Sequence, residues 1–336
     1  IGQFELILAE QGRDAGWLDR HRPPPSLYFS GIIGLDDKDE AIRQDIDAII
    51  AREQPGFGFG ALAAGADILI AEALHKAGAE LHIILPYPVD RFRALSVAPS
   101  GDHWLARFDA LVEVAVQLDV LTELPDEEER SIGVAVELAD LVTMGQCVRN
   151  AGVLQSRPKA LTITGIGDEP RRQHLVWADT GHDQFMIAVA RKVDHHSMTK
   201  LADAETKKIA AILWVDGLDM DALAALPEGR RNFQPAGDAR YRISTDLADL
   251  LATSRSLLQH NVDNRISLLI DIIDPQRPAA SLLEQASDMA RASSGGAVLT
   301  DYKSAMVLTL EPGKHTLEEI GELQTANGPL PLWSLA

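Results

Sequence analysis

The segment Gly56-Phe57-Gly58-Phe59-Gly60-Ala61-Leu62-Ala63-Ala64-Gly65-Ala66-Asp67 has the composition of a loop that approaches a ligand, and it runs into an amphipathic helix expected over Ile68 to Lys76. Glycine lets backbone come close to a bound group, and a helix N-terminus offers unpaired N–H groups with a partial positive charge. A short apolar strand, Leu27 to Phe29, also ends in a small-residue turn, Ser30-Gly31. Two such turns at one edge of a parallel sheet make a site for a phosphorylated molecule. Arg171-Arg172 open a helix after a strand ending at Thr164, on the edge where phosphate would be met; ordinary solvated surface is the other reading. Asp67 either caps the helix it begins or contacts ligand. The glycines have an alternative role too, close helix–strand packing with no ligand at all.

Other reactive residue types carry less. His103 stands at a helix start, and His174 and His182 have no carboxylate partner in sequence, so no triad can be argued. His195-His196 lack further ligands at metal-binding spacing and read as a solvated linker. The single cysteine, Cys147, excludes an internal disulfide and reads as a small buried residue suited to a reducing compartment, so a cytoplasmic protein is expected. A net charge of −19 repels phosphate backbones, which argues against a nucleic-acid partner but not against one locally held nucleotide. No apolar run approaches the roughly 20 residues of a membrane helix, so no membrane partner is expected. The start at Ile1 suggests a fragment of a longer protein.

Around these residues the pattern of elements is regular. Residues 2 to 20 have helical spacing and end at Pro23-Pro24-Pro25, a separate N-terminal segment of 1–25. Strands over 27–29, 81–85, 118–121, 160–164 and 185–189 alternate with helices over 37–52, 102–115, 128–146 and 173–179. Strands apolar on both faces with helices between them predict an α/β fold, a doubly wound parallel sheet. A polar linker at 194–204 divides this domain, 26–193, from a second at 205–336. There, strands over 208–216, 239–244, 265–273 and 297–300, helices over 246–259 and 279–292, and strand-like pieces around Asn327-Gly328 predict a smaller α+β domain.

Ser30-Gly31, the run from Gly60 to Leu74, and Gly78-Ala79-Glu80-Leu81-His82-Ile83-Ile84-Leu85-Pro86 together resemble the SLOG superfamily, which gathers cytokinin-activating phosphoribohydrolases and the Rossmann-like folds of DNA-processing protein A. The resemblance covers about residues 26 to 192 and implies a nucleotide or phosphoribosyl ligand over the C-terminal edge of the sheet. Carried over by position, Ser30, Gly31, Gly58, Gly60, Ala61, Gly65, Ala66 and Asp67 would line it, with Arg171 beside them. The phosphoribohydrolases carry a Pro-Gly-Gly-x-Gly-Thr-x-x-Glu motif. The comparable Leu124 to Ser131 has none of its glycines, so hydrolysis of nucleoside monophosphates is not expected.

Ile212-Leu213-Trp214-Val215-Asp216-Gly217, Gly237-Asp238-Ala239, Arg265 to Asp271, Gln285 to Ala290 and Gly296 to Thr300 resemble, in that order, pieces of class III nucleotide cyclases over about residues 205 to 336. The resemblance implies a ferredoxin-like fold, a possible homodimer and two metal-holding aspartates, here Asp216 and Asp238, with Mg or Mn as cofactor only if the site is active. They lie only 22 positions apart, roughly half the family's usual separation. The family's transition-state asparagine and arginine fall near Glu284 and Asp288. Exchanging a cation for a carboxylate beside a polyphosphate reverses the interaction, worth several kcal/mol at contact, or about a thousandfold in rate. The expectation is therefore a nucleotide-sensing domain followed by a degenerate cyclase homology domain for dimerisation or signal transmission. The alternatives are an active nucleotide cyclase and a nucleoside monophosphate phosphoribohydrolase.

Overall fold

The structure, a computed structural model, describes residues 1–35, 39–121, 131–190, 207–218, 220–311, 316–325 and 328–335. The expected linker at 194–204 and most of the acid-rich stretch 124–131 lie outside them. The chain divides into two compact units, residues 1–125 with 139–200 and residues 126–138 with 201–336.

The first unit opens with helix α1 (Gly2–Glu10) and a 3₁₀ turn over Gly16–His21, two pieces where one helical stretch was expected. The break falls at Gly12, whose φ of 62° lies in the left-handed region that a helix cannot include. Strand β1 (Ser26–Ser30) follows and is buried at every position. Helix α2 (Glu40–Glu53) buries Ile42, Ile46 and Ile50 and is capped by Asp39, whose carboxylate accepts the Ala41 N–H at 3.1 Å. Strand β2 (Phe57–Gly60), helix α3 (Ala66–Lys76) and strand β3 (Glu80–Leu85) come next. A short helix α4 (Val89–Phe92) continues as a wider helical turn through Val97 and leads to helix α5 (Asp102–Val114) and strand β4 (Gln117–Val120). The long helix α6 (Ile132–Leu154), which belongs to this unit from Ala139 on, strand β5 (Pro158–Gly165), helix α7 (Arg172–Asp179) and strand β6 (Asp183–Val189) complete the unit.

Its six strands are all parallel, in the order β4-β3-β2-β1-β5-β6. From β1 the chain winds outward through β2, β3 and β4, then returns through α6 to lay β5 on the other side of β1. The strand order therefore reverses between β1 and β5, and a crevice opens beyond their C-terminal ends, where open α/β sheets bind ligands.

The glycine-rich segment differs from a loop in its first half. Phe57 to Gly60 form a sheet strand paired with β1 and β3, because missing side chains leave room for neighbours. A Cβ on Gly58 would meet Leu74 at 2.7 Å, and one on Gly60 would meet the Phe29 ring at 2.4 Å.

The second unit is built on strand β7 (Lys208–Asp216), followed by the short helix α8 (Met220–Ala225), strands β8 (Gln234–Ala236) and β9 (Ala239–Ser244), and helix α9 (Leu247–His260). Strand β10 (Arg265–Ile273), helix α10 (Ala280–Ala292), strand β11 (Val298–Asp301), helix α11 (Tyr302–Leu308) and the strands β12 (Leu317–Thr325) and β13 (Gly328–Leu335) follow. The sheet runs β12-β13-β11-β10-β7-β9-β8 and is mixed, with β10 and β11 parallel and its other pairs antiparallel. Ile212, Trp214, Tyr241 and Leu269 form one core with Ala286, Met289 and Ala290 of α10, and the Trp214 and Tyr241 rings stack at 5.9 Å. At one rim β8 is three residues long and contains Pro235. At the other, β12 carries exposed Glu318, Glu319 and Glu322 and a register shift between Glu319 and Gly321. Among the described residues no helix is long and apolar enough to cross a membrane.

Candidate functional site

The C-terminal ends of β1 and β5 and the first turns of α3 and α7 bring Ser30, Gly31, Ala66, Asp67 and Arg171 together at one edge of the sheet. Gly31 is the closest approach, since a Cβ there would lie 2.2 Å from Ala66 Cβ and 3.2 Å from Ile163 Cβ. Gly65 turns the chain into α3 with φ +112°, and an added Cβ would stand 2.7 Å from the Ile32 carbonyl oxygen. Gly58 and Gly60 lie within β2 beneath Leu74 and Phe29, and Ala61 directly follows that strand.

Three of the amides that the sequence offered to phosphate are engaged by the chain itself. The Ala63 N–H donates to Asp67 Oδ2 at 3.2 Å, the Ala64 N–H to the Ser96 carbonyl at 3.0 Å, and the Ala66 N–H to the Ile32 carbonyl at 3.1 Å. Asp67 therefore does not cap the helix it begins, whose N-cap is Gly65 with no side-chain bond; it pins the preceding loop through Ala63 instead. Its other oxygen, Oδ1, is buried with no hydrogen-bond partner.

That oxygen has company at the same edge. Ser30 Oγ, Thr162 Oγ1 and His174 Nδ1 are likewise buried and without a hydrogen-bond partner. A native interior leaves few such groups unpaired, and each one left so costs about 1–3 kcal/mol. Asp140 of α6 adds a second carboxylate, accepting the Tyr28 hydroxyl at 3.3 Å, while the Tyr28 ring stacks on Trp177 at 5.6 Å. Burial, reinforced by Asp140, pushes the Asp67 carboxyl up to about 7; the Ala63 and Gly31 N–H groups and the Arg171 guanidinium only partly oppose it. Burial and then Asp140 hold the Tyr28 hydroxyl well above its ordinary value. Burial and then Arg171 lower His174, favouring its neutral form.

Beside this cluster lies a crevice of about 10 Å³ lined by Gly31, Ile163, Asp168, Glu169, Arg171 and His174, with room for about one water. The turn that borders it, residues 166–171, is exposed and is held by Asp168, whose carboxylate accepts the Gly165 N–H at 3.1 Å. Tyr28, Asp140 and Thr162 were not singled out from sequence. A signal was present, polar side chains inside strands and a helix otherwise apolar, but the spacing does not reveal which of them share a face.

In the second unit the register brings Asp216 and Asp238 to one edge. Asp216 ends β7, one residue beyond the Val215–Arg240 pair, and Asp238 occupies the turn between β8 and β9. Asp216 is also opposite Arg265, whose guanidinium lies 2.8 Å from its Oδ2. Asp238 is exposed, and among the described residues no group of three His, Cys, Asp or Glu side chains could hold a metal. Two carboxylates, one already neutralised by an arginine, do not fit a two-metal centre. The expected result is that millimolar Mn²⁺ or Mg²⁺ leaves the unfolding temperature unchanged and that ATP or GTP with Mn²⁺ yields no cyclic product. Product that disappears in Asp216→Ala would reverse this assignment.

The burial of Cys147 pushes its thiol well up, so it is inert at neutral pH.

No family model and no curated protein matches the chain. Solved structures similar to part of it include an adenylate/guanylate cyclase/hydrolase from Silicibacter pomeroyi, at 14% identity and TM-score 0.33 over 40% of this chain and 98% of that one. Others are the adenylyl cyclase CyaB from P. aeruginosa, at 12% identity and TM-score 0.28 over 39% and 94% of the two chains, and the guanylyl cyclase Cya2, at 10% identity and TM-score 0.26 over 39% and 92%.

Proposed function

We propose that the first unit binds a nucleotide-derived ligand in the crevice beyond β1 and β5, and that the second is a non-catalytic module for dimerisation or signal transmission. One observation carries the binding role. Four buried polar atoms, Ser30 Oγ, Asp67 Oδ1, Thr162 Oγ1 and His174 Nδ1, are unpaired beside the point where the strand order reverses. Buried polar groups left unsatisfied at the ligand edge of such a sheet support a site awaiting a polar partner. Arg171, exposed at the mouth, supplies the positive charge that the loop amides no longer offer. In the second unit, the Asp216–Arg265 pair and the acidic Glu284 and Asp288 support a role other than catalysis.

Calorimetric titration of the chain with mono-, di- and cyclic nucleotides and nicotinamide dinucleotides tests the reading. At least one should release heat, and Arg171→Ala should weaken it about tenfold or more, the worth of a charge-assisted hydrogen bond. No heat from any of them would remove the binding function.

A further inference from the structure

Building on the nucleotide reading of this crevice, we infer that the buried polar cluster recognises the vicinal hydroxyl pair of a ribose, with the phosphate end turned outward to Arg171. The sheet register supplies the geometry. Ser30 and Thr162 are direct partners across β1 and β5, so their side chains share one face of the sheet, roughly 4.8 Å apart in the pairing direction. Tyr28, two residues before Ser30, projects to that same face and donates to Asp140. Asp67 adds its unpartnered Oδ1 and His174 its unpartnered Nδ1.

Charge decides which part of a nucleotide fits here. Asp67 and Asp140 are close enough that Asp140 helps hold the proton on Asp67 up to about pH 7, and a phosphate placed among them would add further negative charge with little water to screen it. The mouth holds the exposed guanidinium of Arg171 with Asp168 and Glu169 beside it, and there water screens the carboxylates, so Arg171 is where a phosphate would be met. Hydrogen-bonding capacity points the same way. A carboxylate oxygen accepts only, serine and threonine hydroxyls both donate and accept, and the neutral imidazole does either according to tautomer. A pair of neighbouring hydroxyls, each with one proton to give and lone pairs to share, satisfies that set without adding charge. A site built to bond a hydroxyl discriminates strongly against the analogue that lacks it, because its own buried groups are then left unpaired.

The test is calorimetry on the full chain with ribonucleoside 5′-monophosphates and their 2′,3′-dideoxy counterparts. A ribonucleotide should bind, and the matching dideoxy compound should bind at least tenfold more weakly. Thr162→Val, which keeps the side-chain shape, and Asp67→Asn should each shrink that ratio to about threefold or less. Equal affinity for the ribo and dideoxy forms would overturn the ribose assignment while leaving a nucleotide site standing. An unchanged ratio in both variants would move the hydroxyl-reading groups elsewhere. Heat from neither form would count against the nucleotide reading itself.

Discussion

Asp67→Asn should raise the unfolding temperature of the first unit at pH 8, and raise it by less than half as much at pH 5. Asp67 is held at about 7 in the folded chain, by burial first and by Asp140 second, against an ordinary carboxyl value of 3.8. Below about pH 4 the carboxyl carries its proton in both states and makes no difference. As pH rises, the unfolded chain gives up that proton first, while the native chain retains it until about pH 7. Each step through this window favours unfolding, and above it the full cost of burying the anion is present. A separation of about 3 between the two values corresponds to about 4 kcal/mol at most. An asparagine can still accept the Ala63 N–H through its oxygen, and it never ionises. For a unit of this size each kcal/mol shifts the midpoint by about 2–4 °C, so a rise of several degrees at pH 8 is expected. Thermal unfolding of both chains between pH 5 and 8 reads the difference directly, with other titrations cancelling. The charged neighbours Asp140 and Arg171 are present in both. A variant less stable than wild type at pH 8 would show that the carboxylate is better satisfied than its unpaired oxygen indicates.

Gly31→Ala should cost about 3 kcal/mol, more than most single methyl additions to a core. The new Cβ would lie 2.2 Å from Ala66 Cβ, far inside van der Waals contact, and 3.2 Å from Ile163 Cβ on the next strand. Neither neighbour yields easily. Ala66 is wholly buried and its N–H is bonded to the Ile32 carbonyl, while Ile163 sits within the central strand β5. Adding Ala66→Gly to Gly31→Ala removes the closest of these collisions, so the double variant should recover a large part of the loss. Chemical denaturation of the four chains of that cycle checks it. If Ala66→Gly rescues nothing, the collision is not what limits the site. The cycle also separates two roles for this glycine. A packing role predicts rescue of stability, and a role in admitting ligand would leave binding impaired after stability has returned.

Most of the fold was legible because its signals are local. The continuous apolar runs around Leu27, Leu81 and Leu161 could be nothing but buried strands, and Asp39 and the isoleucines of α2 mark one cap and one stripe. Strands β7 and β10 lie where their apolar runs begin and end. What failed locally was decided by distant neighbours. Gly58 and Gly60 read as loop residues, yet Leu74 and Phe29 occupy the space their missing side chains leave, and the segment becomes a strand. Helix α11 was not anticipated, since its cap, Asp301, accepting the Ser304 N–H at 2.8 Å, also ends a strand. The site was half legible. Sequence located the edge through Ser30, Gly31, Asp67 and Arg171. It did not show that Asp67, Ser96 and Ile32 engage three of the loop amides, or that Tyr28, Asp140 and Thr162 gather there, because register and burial, not spacing, assemble them.

The two rims of the second sheet bear on how copies of this protein could meet. One ends in a three-residue strand interrupted by proline, the other in a bulged strand fringed with glutamates. Neither offers a straight, uncharged row of amides and carbonyls for another chain to zip onto, so stacking of sheets into fibres is disfavoured at neutral pH.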